Sequence, residues 1–290
     1  PTAEPRFTER QLRELAPGAN AGRRTVPQLL TRHAADFIWA ARELERMGYP
    51  EVNLNAGCPA GTVVAKGKGA GMLRTLSDLD RFLYAVFSAG LAVPVSIKAR
   101  LGLASAAEFG EIARLLCRYP ASRLVVHARL KTDMYRGEPR WEALERALPA
   151  IARSGVALGL NGDVARPADI ERLTARFPDA RLVMAGRGLA ADPALFRRAK
   201  GGEPAGREEI AAFSQALFEG YAEAFGSWNN ALQLMKEHWF YWLNLFDAPE
   251  AWQARLFRAK RTPDFLAALE PVLKDAPWRA EPAVRWKKPL

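Results

Sequence analysis

One cysteine of this 290-residue chain lies in a setting suited to proton transfer. The stretch Asn53-Leu54-Asn55-Ala56-Gly57-Cys58-Pro59 begins as a β-rich run, and a glycine and a proline then bracket Cys58. This pattern places the thiol on a turn rather than in a helix. Thiols in model peptides titrate near pH ~8.5, so a thiol at an active site can act as a general acid. The competing interpretation is a small loop residue without a chemical role. The other cysteine, Cys117, is expected in the core of a helix.

Polar residues also follow the other β-rich runs of the chain. Six strands are predicted, at Thr25–Leu30, Glu51–Ala56, Pro94–Leu101, Arg123–Leu130, Ala157–Asp163 and Arg181–Gly186. Their carboxyl ends carry side chains that can bind anions or donate hydrogen bonds: Gln28, Asn53, Asn55, Lys98, Arg100, His127, Arg129, Asn161, Asp163 and Arg187. Because the carboxyl ends of parallel strands meet at one rim, these side chains are expected around one site.

The elements between the runs indicate the architecture. Helices are predicted near residues 33–48, 77–90, 105–118, 141–153, 167–177 and 192–199, the last with Asp192-Pro193 at its start. Alternating strands and helices favour a parallel sheet. Polar groups at six successive strand ends favour a (β/α)₈ TIM barrel over a doubly wound sheet. Since six strands are counted, one or two opening β/α units are expected to be absent from this chain.

The pattern changes after Gly201-Gly202. Four helices without intervening strands are predicted at 206–225, 229–246, 249–261 and 263–274. The apolar stripe of the second helix is typical of a bundle core; it consists of Leu232, Met235, Trp239, Trp242 and Leu243. The predicted domains are therefore a barrel over 1–202 and a helical domain over 203–290. The basic and aromatic tail, residues 278–288, suits either a nucleic-acid backbone or solvent.

Two glycine-rich stretches invite a phosphate interpretation. Between Gly61 and Gly71, the spacing departs from a P-loop, and Gly69 stands where that motif needs Ser or Thr. This stretch, which contains Lys66 and Lys68, is predicted to be a flexible, basic loop beside the thiol. Ala185-Gly186-Arg187-Gly188 suits a phosphate better, because glycines let backbone N–H groups approach and the helix expected near Asp192 would add its dipole.

Composition excludes several classes of protein. The net charge is +10, from 42 Lys and Arg against 32 Asp and Glu, which is compatible with a nucleic-acid partner. No run reaches the ~18–20 apolar residues of a membrane span, and the polar opening is not typical of a signal peptide. Two cysteines favour a reducing, cytoplasmic location. The three histidines share no ligand spacing, so no metal site is expected.

Six motifs, in order, resemble the tRNA-dihydrouridine synthases. The resemblance runs from about Glu9 to Leu273 and is carried by Val26-Pro27-Gln28-Leu29, Asn53 to Pro59, Ile97-Lys98-Ala99-Arg100, His127-Ala128-Arg129 with Lys131-Thr132 and Tyr135, Asn161-Gly162-Asp163, and Ala185-Gly186-Arg187-Gly188. It implies an FMN-binding barrel with a C-terminal helical domain that binds tRNA. The family opens with an Ala-Pro-Met-type strand for which this chain shows no counterpart.

The resemblance also implies roles for individual residues. Cys58 matches the general acid that protonates C5 of uracil while reduced FMN delivers hydride to C6. The family positions that contact the flavin ring match Gln28, Lys98 and His127. Those that contact the ribityl chain and phosphate match Asn161, Gly162, Asp163, Gly186 and Arg187. Those that face the RNA match Asn55 and Arg100, with Arg129 and Lys131. NADPH is the implied electron donor, and the target uridine is expected to be flipped out of its stack.

Two alternatives stay open at this point. One is another FMN barrel oxidoreductase that acts on a small pyrimidine-like molecule. The other is an RNA-binding homologue without flavin, whose tRNA binding would weaken steeply with salt. A monomer is the default expectation, and the sequence does not indicate which tRNA uridine is modified.

Overall fold

The fold is seen in a computed structural model, which describes residues 6–247, 249–279 and 281–284. They form two compact units. The strand-bearing unit contains the residues up to Gly162 together with Phe177–Met184, and the helical unit contains Asp163–Arg176 and the residues from Ala185 on. This division differs from the predicted boundary between a barrel domain and a helical domain at residues 202 and 203, which stays a prediction.

All six predicted strands are present, each within or close to its predicted range. They are β1 (Gln28–Leu29), β2 (Val52–Ala56), β3 (Val95–Gly102), β4 (Arg123–Leu130), β5 (Ala157–Asn161) and β6 (Leu182–Met184). Every neighbouring pair is parallel, and the strands follow chain order from β1 to β6. A doubly wound sheet would reverse direction at a switch point. Sequential order without that reversal is the arrangement of a partial TIM barrel, as predicted.

Helices connect the strands and bury one face of the sheet. In the strand-bearing unit they are α1 (Glu9–Leu15), α2 (Ala34–Arg46), α3 (Gly61–Val64), α4 (Leu76–Phe87), α5 (Phe109–Leu116) and α6 (Trp141–Ser154). Leu54, Ile97 and Val126 on three neighbouring strands are at most 1% exposed. Burial of such side chains contributes about 1.5–3 kcal/mol each, so the central strands are rigid supports for the residues at their ends.

The helical unit contains the four predicted C-terminal helices and three shorter ones before them. They are α7 (Pro167–Arg176), α8 (Arg187–Ala191), α9 (Leu195–Arg198), α10 (Arg207–Phe225), α11 (Trp228–Trp242), α12 (Pro249–Arg258) and α13 (Thr262–Asp275). The stripe predicted to form a bundle core is buried, with Trp239 and Met235 fully inaccessible. The indole of Trp239 donates to Ser214 Oγ over 3.0 Å, which satisfies its buried N–H. Residues 285–288 of the basic tail lie outside the described residues.

Three local predictions are wrong. The helix expected over 192–199 is shorter and begins later, as α9 (Leu195–Arg198). Asp192 instead ends α8, and its side chain accepts a hydrogen bond from the Ala194 N–H at 2.9 Å. The stretch from Gly61 to Gly71 is not a flexible loop. It forms α3 and the start of a 3₁₀ helix, Gly69–Arg74, in which Gly69 to Leu73 are buried. Cys117 is half-buried at the end of α5 rather than in its core.

Candidate active site

The register of the sheet brings the polar residues of neighbouring strands side by side. Asn55 on β2 is paired with Lys98 on β3. One step along, Arg100 is paired with His127 on β4, and His127 is paired with Asn161 on β5. Five of the residues predicted from the strand ends therefore lie on adjacent strands of the strand-bearing unit. This places them within reach of a single small molecule.

A chain of side-chain amides links β1, β2 and β3. Gln28 Nε2 donates to Asn53 Oδ1 at 2.7 Å, and Asn53 Nδ2 donates to Ser96 Oγ at 2.8 Å. Asn55 Nδ2 in turn donates to Gln28 Oε1 at 2.7 Å. Each amide is oriented by its neighbours, because donors and acceptors are matched along the chain. Gln28 and Asn55 are thereby held in defined positions.

The turn that carries Cys58 is fixed from three sides. Asn55 Oδ1 accepts the backbone N–H groups of Gly57 at 3.0 Å and Cys58 at 2.9 Å. Arg100 Nε donates to the Gly57 carbonyl at 2.9 Å, and the Ala70 N–H donates to the Cys58 carbonyl at 3.0 Å. The thiol itself is half-buried. The backbone of this turn is therefore rigid, whereas its side chain stays accessible to a substrate.

Gly69 closes the underside of this turn. Its φ is +56°, and a Cβ at this position would lie 2.8 Å from both the Cβ and the carbonyl oxygen of Cys58. An alanine would thus be strained in its backbone and would push the cysteine turn away. The glycine-rich stretch, which the sequence left without a role, is the support on which Cys58 rests.

Lys98 is the most perturbed cation at these strand ends. The pKa of its ammonium is lowered to about 8, mainly by burial and then by the charge of Arg100, while the nearby sulfur of Cys58 opposes the shift. Among the residues that the structure describes, no hydrogen bond or ion pair is made by the Lys98 ammonium. A desolvated cation without a partner is costly, so this position suits an anionic ligand.

Arg100 and Arg129 lie deeper than the sequence suggested. Each is 1% exposed. Besides Gly57, Arg100 binds the Leu130 carbonyl through Nη1 at 2.8 Å, while Arg129 donates to the carbonyls of Arg136 and Gly137. Arg129 Nη1 also lies 3.3 Å from His127 Nε2. Both guanidinium groups therefore brace backbone segments, and contact with RNA stays a prediction for them.

The remaining predicted residues of this unit occupy its edges. Lys131 is half-buried just after β4, and Asn161 Nδ2 donates to the Met184 carbonyl on β6 at 2.9 Å. Gly162 follows with its Cα facing Pro139 and Trp141, where a Cβ would approach both rings to 3.3 Å. Apart from the resemblance, no role is predicted for Tyr135 from the sequence. Its ring lies 5.3 Å from the Arg100 guanidinium carbon and 6.3 Å from the His127 ring.

The predicted phosphate residues lie in the helical unit and form a group of their own. Arg187 Nη2 donates to Asp163 Oδ1 at 2.9 Å, and both side chains are about one-fifth exposed. Asp163 has a φ of +46°, which is uncommon for a residue with a side chain. Gly186 is the N-cap of α8, and among the described residues no atom lies within 4 Å of where its Cβ would be. A ligand can therefore approach the backbone at Gly186.

The sequence of the chain as a whole identifies its family. The pattern of the family described as dihydrouridine synthase (Dus) matches residues 4–276. The chain belongs to the dihydrouridine synthase family. This match includes the cysteine turn, the strand-end residues and most of the helical unit.

Two relatives show how far this similarity extends. The tRNA-dihydrouridine(16) synthase of Cupriavidus necator is 34% identical over 210 residues, which are 70% of this chain and 64% of that protein. A probable tRNA-dihydrouridine synthase of Rhodobacter capsulatus is 29% identical over 257 residues, 86% of this chain and 76% of that protein. The chain thus spans slightly less than two thirds of the first relative.

One solved structure similar to this member of the dihydrouridine synthase family is an oxidoreductase of low sequence identity. Morphinone reductase in complex with tetrahydroNAD is 20% identical with a TM-score of 0.41, covering 71% of this chain and 53% of that one. A likeness at this level supports no statement about function.

None of the helices in the described part of the chain is long and apolar enough to cross a membrane. In the same residues, no group of three or more His, Cys, Asp or Glu side chains could hold a metal ion.

Proposed function

We propose that this chain reduces the C5–C6 double bond of a uridine in tRNA to 5,6-dihydrouridine, with FMN as cofactor and NADPH as electron donor. One observation carries the proposal. An accessible thiol, Cys58, is held on a rigid turn close to a partly desolvated lysine, Lys98, that lacks an anionic partner. Membership of the dihydrouridine synthase family supports the same reaction.

The residues of the strand-bearing unit fit a flavin ring. When bound and reduced, FMN supplies the hydride that adds to C6 of the uracil. Lys98 meets the negative charge of a reduced ring, because the ammonium is already desolvated and an anion would relieve that cost. Gln28 and His127 are proposed to contact the ring beside it. Asn161 and Gly162 are proposed to contact the ribityl chain.

The helical unit offers a separate set of residues for the phosphate. Arg187 is proposed to bind it with a charge-assisted hydrogen bond, while Gly186 lets the phosphate approach the backbone. Asp163 holds Arg187 in position through its ion pair. Neither group needs a metal ion for this role.

Cys58 is proposed to give its proton to C5 of the uracil. As the hydride reaches C6, the S–H bond breaks, a C5–H bond forms, and the thiolate is reprotonated from solvent. Lys98 and Arg100 are the cations that lie close enough to the Cys58 sulfur to interact with it electrostatically. Asn55 keeps the turn at its place through the two N–H groups it accepts.

The partner is proposed to be tRNA. A uridine stacked in RNA has to be extruded before its C5 can meet the thiol. Lys131 and Asn55 are proposed to contact the RNA directly, and the helical domain over 203–290 is proposed to bind the body of the tRNA. Arg100 and Arg129 are also proposed to face the RNA, in addition to bracing the backbone segments that they bind. A monomer in the cytoplasm remains our prediction.

The test is direct analysis of the product. Unmodified tRNA is incubated with the full chain, FMN and NADPH, digested to nucleosides, and analysed by mass spectrometry. The proposal expects a nucleoside two hydrogens heavier than uridine, formed only when NADPH is present. Oxidation of NADPH by free uridine or uracil, with tRNA unchanged, would instead favour the small-molecule oxidoreductase. Binding of tRNA without any flavin would favour the RNA-binding homologue.

A further inference from the structure

A basic cleft opens beside the support of the cysteine turn, within the strand-bearing unit. Its volume is about 700 Å³. It is lined by the starts of α2 and α4 and by part of the stretch from Ala65 to Thr75. Three arginines, Arg32, Arg74 and Arg81, contribute their side chains, and we call this feature the arginine cleft. It belongs to none of the groups described above.

The arginine cleft has an excess of positive charge. Arg81 forms an ion pair with Asp78, the acidic residue of the lining. Arg32 and Arg74 are exposed, and neither makes an ion pair with any residue in the described ranges; Arg32 contacts the ring of its neighbour His33. Asp36, the acidic residue in the first turn of α2, accepts a hydrogen bond from the Thr31 hydroxyl at 3.2 Å. Two guanidinium groups are therefore available to an anion.

The cleft and the thiol share a wall. Gly67, Gly71 and Met72 line the cleft, while Gly69 and Ala70 of the same stretch contact Cys58. A Cβ at Gly67 would lie 3.4 Å from the Arg32 side chain, so this arginine packs against the wall. The arginine cleft and the cysteine turn are thus separated by one short stretch of backbone.

We infer that the arginine cleft binds a phosphodiester group of the RNA strand next to the target uridine. This inference rests on the proposed function. A nucleotide whose base reaches Cys58 continues into phosphates on both sides, and one of these must pass close to the shared wall. Guanidinium groups match phosphate oxygens in geometry and charge. The positive ends of α2 and α4 add to the attraction.

The lining favours a nucleic-acid backbone over the dinucleotide NADPH. Phe82, the phenyl ring of the lining, is 6% exposed and offers no surface on which an adenine or nicotinamide ring could stack. What the cleft presents to a ligand is mainly the charge of Arg32 and Arg74, together with the exposed imidazole ring of His33. A contact with the RNA backbone also explains why basic residues recur between Ala65 and Thr75, at Lys66, Lys68 and Arg74.

The test combines charge reversal with a matched control. Arg32→Glu with Arg74→Glu is compared with Arg146→Glu with Arg153→Glu, which changes two exposed arginines on α6 outside the cleft by the same total charge. Binding of an unmodified tRNA transcript to the full chain is measured at several salt concentrations. We expect at least tenfold weaker binding for the double variant and wild-type binding for the control. The plot of log affinity against log salt has a negative slope, and each lost phosphate contact makes it less steep by about 0.7–0.9.

The outcomes separate this inference from the proposed function. Unaltered affinity and slope in the double variant would overturn it, even if the wild-type chain makes dihydrouridine. A raised KM for NADPH with unaltered tRNA binding would assign the cleft to the dinucleotide and overturn it as well. If the wild-type chain binds tRNA but forms no dihydrouridine, the proposed function is refuted. The role of the arginine cleft is then still tested by the tRNA affinity of the double variant. The neutral double variant Arg32→Gln with Arg74→Gln is expected to show a smaller loss in the same direction.

Discussion

Two groups of arginines in the strand-bearing unit have opposite environments. Arg100 and Arg129 are almost fully buried, and their guanidinium groups are occupied by backbone carbonyls. Arg32 and Arg74 are exposed beside an open cleft. A buried guanidinium without its carbonyl partners would cost several kcal/mol, whereas an exposed one costs little to leave free. Arg100 and Arg129 thus stabilise the fold, whereas Arg32 and Arg74 are available to a ligand.

The largest effect is expected at the Cys58 thiol, whose turn is supported by the buried Arg100. Cys58→Ala should lower the rate of dihydrouridine formation by about 10²–10⁴-fold, the usual contribution of a general acid, and leave the bound flavin in place. Single-turnover mass spectrometry of tRNA measures the rate. Cys117→Ala removes the other thiol, at the end of α5, and serves as the matched control with wild-type turnover. Equal rates in Cys58→Ala and wild type would refute the proton-donor role.

The two groups of arginines should differ next in stability. Arg100→Met leaves the Gly57 and Leu130 carbonyls without their donor, so we expect a loss of about 2–4 kcal/mol in the free energy of unfolding. Arg74→Met changes an exposed side chain and should stay within about 0.5 kcal/mol of wild type. Urea unfolding followed by fluorescence compares them. Similar losses in both variants would remove the distinction between bracing and ligand-binding arginines.

Arg187 in the helical unit is an intermediate case, since its partner is a carboxylate and it is partly exposed. Arg187→Ala should weaken FMN retention by about 10–100-fold, as expected for one charge-assisted hydrogen bond to a phosphate. Flavin fluorescence on dilution measures the affinity. Arg172→Ala, which removes an exposed arginine of α7 paired with Asp169, is the control. Unaltered FMN affinity in Arg187→Ala would exclude the phosphate contact.

The smallest effect concerns the charge of Lys98. Its pKa is lowered to about 8, so the ammonium is charged below pH 8 and neutral above it. Reduction of the bound flavin by NADPH, a step that does not use the Cys58 thiol, should therefore decline above pH 8, by about tenfold at pH 9 for a single titrating group. Lys98→Arg should extend the plateau to higher pH, because an arginine keeps its charge. A wild-type rate that is constant to pH 9.5, or the same decline in Lys98→Arg, would contradict this role.

The sequence was most informative where local pattern determines structure. Six β-rich runs and the apolar stripe from Leu232 to Leu243 were recognisable because burial imposes periodicity. The turn at Cys58 was predicted from Gly57 and Pro59 alone. The alternation of strands with helices predicts parallel strands, and the polar groups at six successive strand ends predict the barrel order. These predictions about the fold are confirmed in the structure.

The sequence could not reveal contacts between distant segments. Arginine side chains are usually exposed, and Arg100 is buried because it binds the carbonyls of Leu130 and Gly57, which are 30 and 43 residues away in the chain. Gly69 supports Cys58 through a close approach that no spacing rule encodes. Asp192 resembled the N-cap of a helix, yet its side chain caps a turn and pairs with Arg198 instead. The roles of the predicted cofactor and substrate residues stay predictions.

The most direct measurement is the visible absorption spectrum of the purified full chain during one reaction cycle. We predict a yellow protein whose flavin absorbance is bleached by NADPH and returns when unmodified tRNA is added without oxygen. Cys58→Ala should bleach in the same way but recover at least a hundredfold more slowly, within the range of a lost general acid. A chain that stays colourless with added FMN, or a bleached flavin that tRNA does not reoxidise, would contradict the proposed reaction.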